Sequence, residues 1–149
     1  MRVLQGICVV ILVCGFLTIA GADPIYKIDY ADYDVSVKDR KGVVTDATDF
    51  GFWTGANILY AKRGTSKVTI PFRRIKTLEV GKYEAVKGVS EATVTTKRGK
   101  TYKIQIERFE GRRYLGGSTD FGTFRIKLMD ISRLDLQKLS HTEPDKPGS

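Results

Sequence analysis

Glu79 and Asp135 hold matching places in two similar stretches of the sequence, and a pair of carboxylates is all that glycoside hydrolysis requires. Each sits between large aliphatic residues, Leu78-Glu79-Val80 and Leu134-Asp135-Leu136, and such alternation puts both on the solvent face of a strand. Other chemistries lack their parts. The single histidine, His141, lies in a C-terminal stretch with Pro144, Pro147 and Gly148, away from any element that could hold it as the base of a triad. Cys8 and Cys14 are the only cysteines and both lie near the N-terminus, so no zinc ligand set is expected. Asp29, Asp32, Asp34, Asp46 and Asp49 offer oxygen ligands, but their spacing completes no calcium loop. Gly116-Gly117-Ser118-Thr119 is glycine-rich, yet it opens no helix and no lysine follows, so it reads as a hairpin turn and not a phosphate loop. We expect no catalytic residue, no metal site and no cofactor, and hence no enzyme.

Charge is the stronger signal. The 149 residues carry a formal net charge of +8. Residues 23–49 hold four basic and seven acidic groups, net −3, whereas residues 50–138 hold nineteen basic and eight acidic, net +11. The basic groups cluster at Lys62-Arg63, Arg73-Arg74, Lys97-Arg98-Lys100 and Arg112-Arg113. A basic body attracts polyanions, and arginine grips phosphate or carboxylate with a fork of donors. Arg73, Arg74, Arg112, Arg113, Lys97 and Arg98 are therefore the candidate anion-binding residues. The plainer account is that basic turns keep strands soluble and guard sheet edges. Phe72, Phe109 and Phe124 fall at core positions. Phe50, Phe52, Trp53 and Tyr60 gather around Gly51 and Gly55, where they either seal the end of a β-unit or, through Phe52, Trp53 and Tyr60, form an aromatic patch facing a ligand.

The elements that position these residues read as strands. Val68, Ile70 and Phe72 alternate, then Ile75, Leu78 and Val80 follow at steps of three, three and two. That switch predicts a strand, a single tight turn over Arg73–Lys76, and another strand. Adding 56 reproduces the pattern as Phe124, Ile126, Leu128, Ile131, Leu134 and Leu136, with Leu59 meeting Leu115 and Gly55 meeting Gly111. Upstream the offset becomes 57, pairing Val35-Ser36-Val37 with Ala92-Thr93-Val94 and Arg40-Lys41-Gly42 with Lys97-Arg98-Gly99. A charged turn closed by glycine is a hairpin signal. The sequence thus predicts an internal duplication, with no helix longer than two turns.

The run Val68-Thr69-Ile70-Pro71-Phe72-Arg73-Arg74-Ile75 resembles the closing part of an SH3-like barrel, where a strand meets a proline, a 3₁₀ turn follows and a last strand closes the barrel. Trp53 and Ala31-Asp32-Tyr33-Asp34 are similar to other SH3 landmarks. Lys127 stands where the first unit has Pro71, and Tyr114 does not replace Trp53, so the resemblance implies the small-barrel shape alone and not a proline-rich peptide groove. The charged-turn-Gly and I-P-F-x-x-I units also look like those of uncharacterised exported bacterial β-domain proteins, which brings no activity. The fold class expected is all-β: two duplicated small SH3-like barrel or sandwich units, either separate or merged into one β-domain. The units span residues 33–82 and 91–138, joined by a linker over 83–90.

The ends suggest the compartment. Arg2, an apolar run from Val3 to Ala20 and the close Ala20-Gly21-Ala22 have the form of a signal peptide over residues 1–22, cut after Ala22, with an uncleaved anchor as the competing reading. Val13 before Cys14 argues against lipid attachment at that cysteine. Residues 23–32 read as an acidic lead-in and residues 139–149 as a disordered tail. The mature chain then has no cysteine, no transmembrane segment and no glycosylation sequon, which suits a bacterial periplasm or exterior. The function expected is a non-catalytic binding or scaffolding module of the cell envelope, with an envelope protein as partner. The alternative is a binder of polyanions or membrane surfaces through its basic body: lipopolysaccharide, acidic polysaccharide or, less favoured, nucleic acid.

Overall fold

The computed structural model describes residues 33–139. Ten strands run through them: β1 (Tyr33–Asp39), β2 (Val44–Phe52), β3 (Ile58–Arg63), β4 (Ser66–Pro71), β5 (Ile75–Glu84), β6 (Val89–Thr96), β7 (Thr101–Glu107), β8 (Tyr114–Thr119), β9 (Gly122–Lys127) and β10 (Ile131–Leu139). A one-turn helix, α1 (Arg108–Gly111), joins β7 to β8, and 3₁₀ turns at Phe72–Arg74 and Leu128–Asp130 precede β5 and β10. The predicted leader, lead-in and tail lie outside the described residues, except that Leu139 belongs to β10.

All strands belong to one antiparallel sheet, in the order β4-β3-β7-β6-β5-β10-β1-β2-β8-β9. Two separate barrels are therefore not formed. The expected linker over 83–90 is the tip of a hairpin: Tyr83 pairs with Ser90 and Glu84 with Val89, and residues 85–88 form the turn. The reason is that β5 and β6 continue as a hairpin ladder to Gly88, whose φ of +69° suits the turn.

Exchanging β1–β5 with β6–β10 reverses the strand order and leaves it unchanged. The registers follow the same rule. Val35 pairs with Ala47 as Ala92 pairs with Ile104, at an offset of 57. Leu59 pairs with Ile70 as Leu115 pairs with Ile126, at 56. Thr48 opposite Ser118 corresponds to Gln105 opposite Lys62. Consequently the β3–β4 hairpin does not extend β2, as a simple barrel meander would. It pairs with β7, and the β8–β9 hairpin pairs with β2.

One core fills the interior. Phe72, Ile75, Leu78, Leu128, Ile131 and Leu134 are all fully buried, so the 3-3-2 spacing does bring these side chains inward. Tyr33 and Phe52 close on Phe72 with ring centroids 6.1 Å and 5.1 Å away. Each such side chain contributes roughly 1.5–3 kcal/mol on leaving water.

The two halves differ by one residue between β2 and β3, where α1 stands in the second half. Gly55 and Gly111 are therefore not equivalent: Gly55 is exposed with φ +97°, while Gly111 ends α1 and is buried against Met129. Phe109, expected at a core position, does not reach the core. It is 84% exposed on α1, because its neighbours Glu110 and Gly111 take the inward side of that single turn. Gly116-Gly117-Ser118-Thr119 is strand β8 and not a turn. A Cβ at Gly117 would stand 2.5 Å from the Thr48 carbonyl oxygen, so glycine here lets β8 close on β2.

Candidate functional site

Two turns build a basic surface. Pro71 ends β4 with φ −64°, and its chain enters the 3₁₀ turn that carries Arg73 and Arg74. Gly99, at φ +80°, closes the β6–β7 hairpin that carries Lys97, Arg98 and Lys100. The Lys97 amide donates to the Arg74 carbonyl at 3.0 Å and ties the turns together.

Between them lies a groove of about 600 Å³. Its cations are Arg63, Arg73, Arg74, Lys97, Arg98 and Lys100, and no carboxylate lines it. Val68 and Ile70 of β4 and Tyr102 of β7, all partly buried, supply apolar surface, and the core residues Val94 of β6 and Ile104 of β7 lie at its base. Arg63 lies over the Tyr102 ring at 5.2 Å from its centroid. Lys97 approaches the Tyr33 ring at 5.8 Å. A cation over an aromatic face is attracted by the negative face of the ring.

Of the six expected anion-binding residues, Arg73, Arg74, Lys97 and Arg98 meet in this groove. Arg112 and Arg113 do not. Arg112 is exposed after α1. Arg113 is half-buried, 2.7 Å from the Glu110 carboxylate, and donates to the Ile58 carbonyl at 2.9 Å. Its guanidinium lies 3.6 Å from the Phe52 ring centroid. Burial raises the pKa of Glu110, and the charge and hydrogen bond of Arg113 oppose that rise. Arg113 is thus a packing residue.

The expected aromatic patch also divides. Phe52 is buried in the core, whereas Trp53 and Tyr60 are about half exposed. Trp53 lies beside Arg125 at 5.1 Å, and lines a second, smaller cleft of about 300 Å³ with Asp49, Gly116 and Gly117. None of the three lines the basic groove. Glu79 and Asp135 lie on one open face with Arg133 bonded to both, at 2.7 Å and 2.8 Å. The Arg133 hydrogen bond, aided by Thr77, holds Asp135 below the usual carboxylate range.

Sequence reasoning missed the apolar part of the groove. Val68 and Ile70 alternate with Phe72 in the sequence, but unlike the fully buried Phe72 they are only partly buried. The overlooked signal was that β4 carries its aliphatics between two basic segments, Lys62-Arg63 before it and Arg73-Arg74 after it.

Residues 29–139 match a protein family described as uncharacterised protein, and the chain belongs to that family. No curated protein matches the chain. Among the described residues, no helix is long and apolar enough to cross a membrane.

Proposed function

We propose that this protein is a non-catalytic binding module of the bacterial cell envelope, exported by its N-terminal leader, whose working surface is the basic groove. Its ligand is anionic. The observation that carries this reading is the convergence of Arg63, Arg73, Arg74, Lys97, Arg98 and Lys100 on one groove that no carboxylate lines. Cations drawn from three separate parts of the sequence, gathered without acidic neighbours, raise the local potential and draw anions in. The module consists of two duplicated SH3-like units with exchanged hairpins. The repeated registers and the reversible strand order support that view.

Immobilised heparin tests the anion reading. The purified protein should be retained at low salt and released as salt rises, since polyanion contacts weaken steeply with ionic strength. The exposed reversals Arg74→Glu and Arg98→Glu together should elute at clearly lower salt. Unchanged elution of that variant would remove the groove from the account.

A scaffold for an envelope protein is the second reading. It is favoured by β4 and β9, the two end strands, each paired along one edge only. A partner strand can extend such an edge. A protein captured through a high-salt wash, and lost on changing β4, would support it.

A further inference from the structure

The groove's apolar floor has no role in binding a simple polyanion. Phosphate or sulfate groups need only the rim. Yet Val68, Ile70, Val94, Ile104 and Tyr102 line the same space as the six cations. The volume, about 600 Å³, lies within the range that holds a small organic ligand.

The second half of the molecule provides an internal comparison. At the place of Val68 stands Phe124, whose ring stacks on Phe50 at 6.5 Å. Asp130 stands at the place of Arg74, Thr119 at Arg63 and Val43 at Lys100. Arg40, at the place of Lys97, donates its guanidinium to the Met129, Val80 and Gly81 carbonyls. The same backbone is thus filled and largely discharged in one half, and opened and charged in the other. The groove does not follow from the shape of the unit. It follows from the side chains of one copy.

We infer that the groove binds an anionic lipid, a phosphate head on a hydrocarbon chain, with the head held by the cationic rim and the chain laid on the aliphatic floor. This rests on the anion reading above and adds the chain. Arginine forks suit a phosphate dianion, and the floor shields methylenes from water.

Alkyl phosphates of six, eight, ten and twelve carbons, kept below micelle formation, test it against inorganic phosphate by calorimetry. Affinity should rise with length by roughly tenfold for each two fully buried methylenes. Val68→Phe copies residue 124 and fills the floor. It should flatten that slope. As a check that does not depend on this variant folding, Tyr102→Trp places a fluorophore on the floor, and a bromine on the distal part of the chain should quench it. Retention on heparin with no chain-length slope and no quenching would overturn the lipid inference and leave the anion reading standing. Failure of the Arg74→Glu, Arg98→Glu pair to alter heparin elution would overturn both.

Discussion

Leu78 lies directly opposite Leu134 in the β5–β10 ladder, and both are fully buried. The two residues are 56 apart, the same offset that relates β3–β4 to β8–β9. The ladder crosses itself at this pair: Glu79 opposes Arg133 on one side and Thr77 opposes Asp135 on the other. Each leucine therefore has the other as its neighbour in the centre of a sheet shared by both halves.

Replacing either leucine should cost the same. Leu78→Ala or Leu134→Ala should each lower unfolding free energy by about 2–5 kcal/mol, as deletions in a close-packed core do. The double variant should depart from additivity because the residues touch. Urea titration of the four proteins measures both quantities.

Gly117→Ala should be among the most damaging small changes. Its methyl group would meet the Thr48 carbonyl oxygen at 2.5 Å and the Phe50 backbone at 3.2 Å. Strand β8 must then move off β2, at a cost of roughly 1–3 kcal/mol or more. Gly64→Ala is the contrasting case. It has open space around it but a φ of +61°, so only the conformational penalty of about 1 kcal/mol applies.

The pair formed by buried Glu110 and half-buried Arg113 predicts a pH dependence that appears when one partner is removed. Arg113→Met leaves the Glu110 carboxylate buried without its cation, which costs about 3–5 kcal/mol near neutral pH. Burial already raises the pKa of Glu110, and Arg113 is the main group opposing the rise. With Arg113 gone the folded-state pKa climbs further above the unfolded value. Stability of the variant should then be lowest above that raised pKa and recover as the pH falls through it. Thermal unfolding across pH would reveal the recovery, and a pH-independent loss would contradict it.

Asp135 has the opposite sign. Its pKa is depressed in the folded state by the hydrogen bond from Arg133, so its contribution is present above the ordinary carboxylate range and fades as the pH falls through the depressed value. The group is largely solvent-accessible, so the effect is small. The stability gap between the protein and Asp135→Asn should close as acid is added.

Cation position should matter more than cation number. Arg112→Glu changes charge by as much as Arg98→Glu, yet Arg112 lies outside the groove. Only the second should substantially lower the salt concentration at which the protein leaves heparin. Equal shifts would mean that net charge alone governs retention.

The strands were legible because their burial obeys period two, and a turn was legible because the period changes, although it lies at Phe72–Arg74 and not over Arg73–Lys76, since Ile75 and Lys76 already belong to β5. Which strands become neighbours was not legible. Alternation says which face of β3 is buried, but not whether β2 or β7 lies alongside it, since both present the same kind of edge. Phe109 misled for a related reason. One helical turn carries no periodicity, so nothing in the sequence distinguished its outward residue from its inward one. For the site, adjacent basic residues could be read as pairs. Their convergence depends on the hydrogen bond between Lys97 and Arg74, a contact across a long sequence separation. Arg112 and Arg113 looked alike in the sequence and were separated only by the turn that buries one of them.

The exchange of hairpins has a consequence for how such a chain arose and how it unfolds. Neither half holds its own β3-type hairpin, so a half-length polypeptide would be complete only when two copies embraced. On the proposed duplication, the ancestral form was an interlocked homodimer, and joining its subunits through the β5–β6 hairpin placed both copies on one gene. Fusion freed the copies from identical sequence. On the proposed reading, one could keep a plugged, purely architectural groove while its twin became the binding site, a division of labour that two identical subunits cannot achieve.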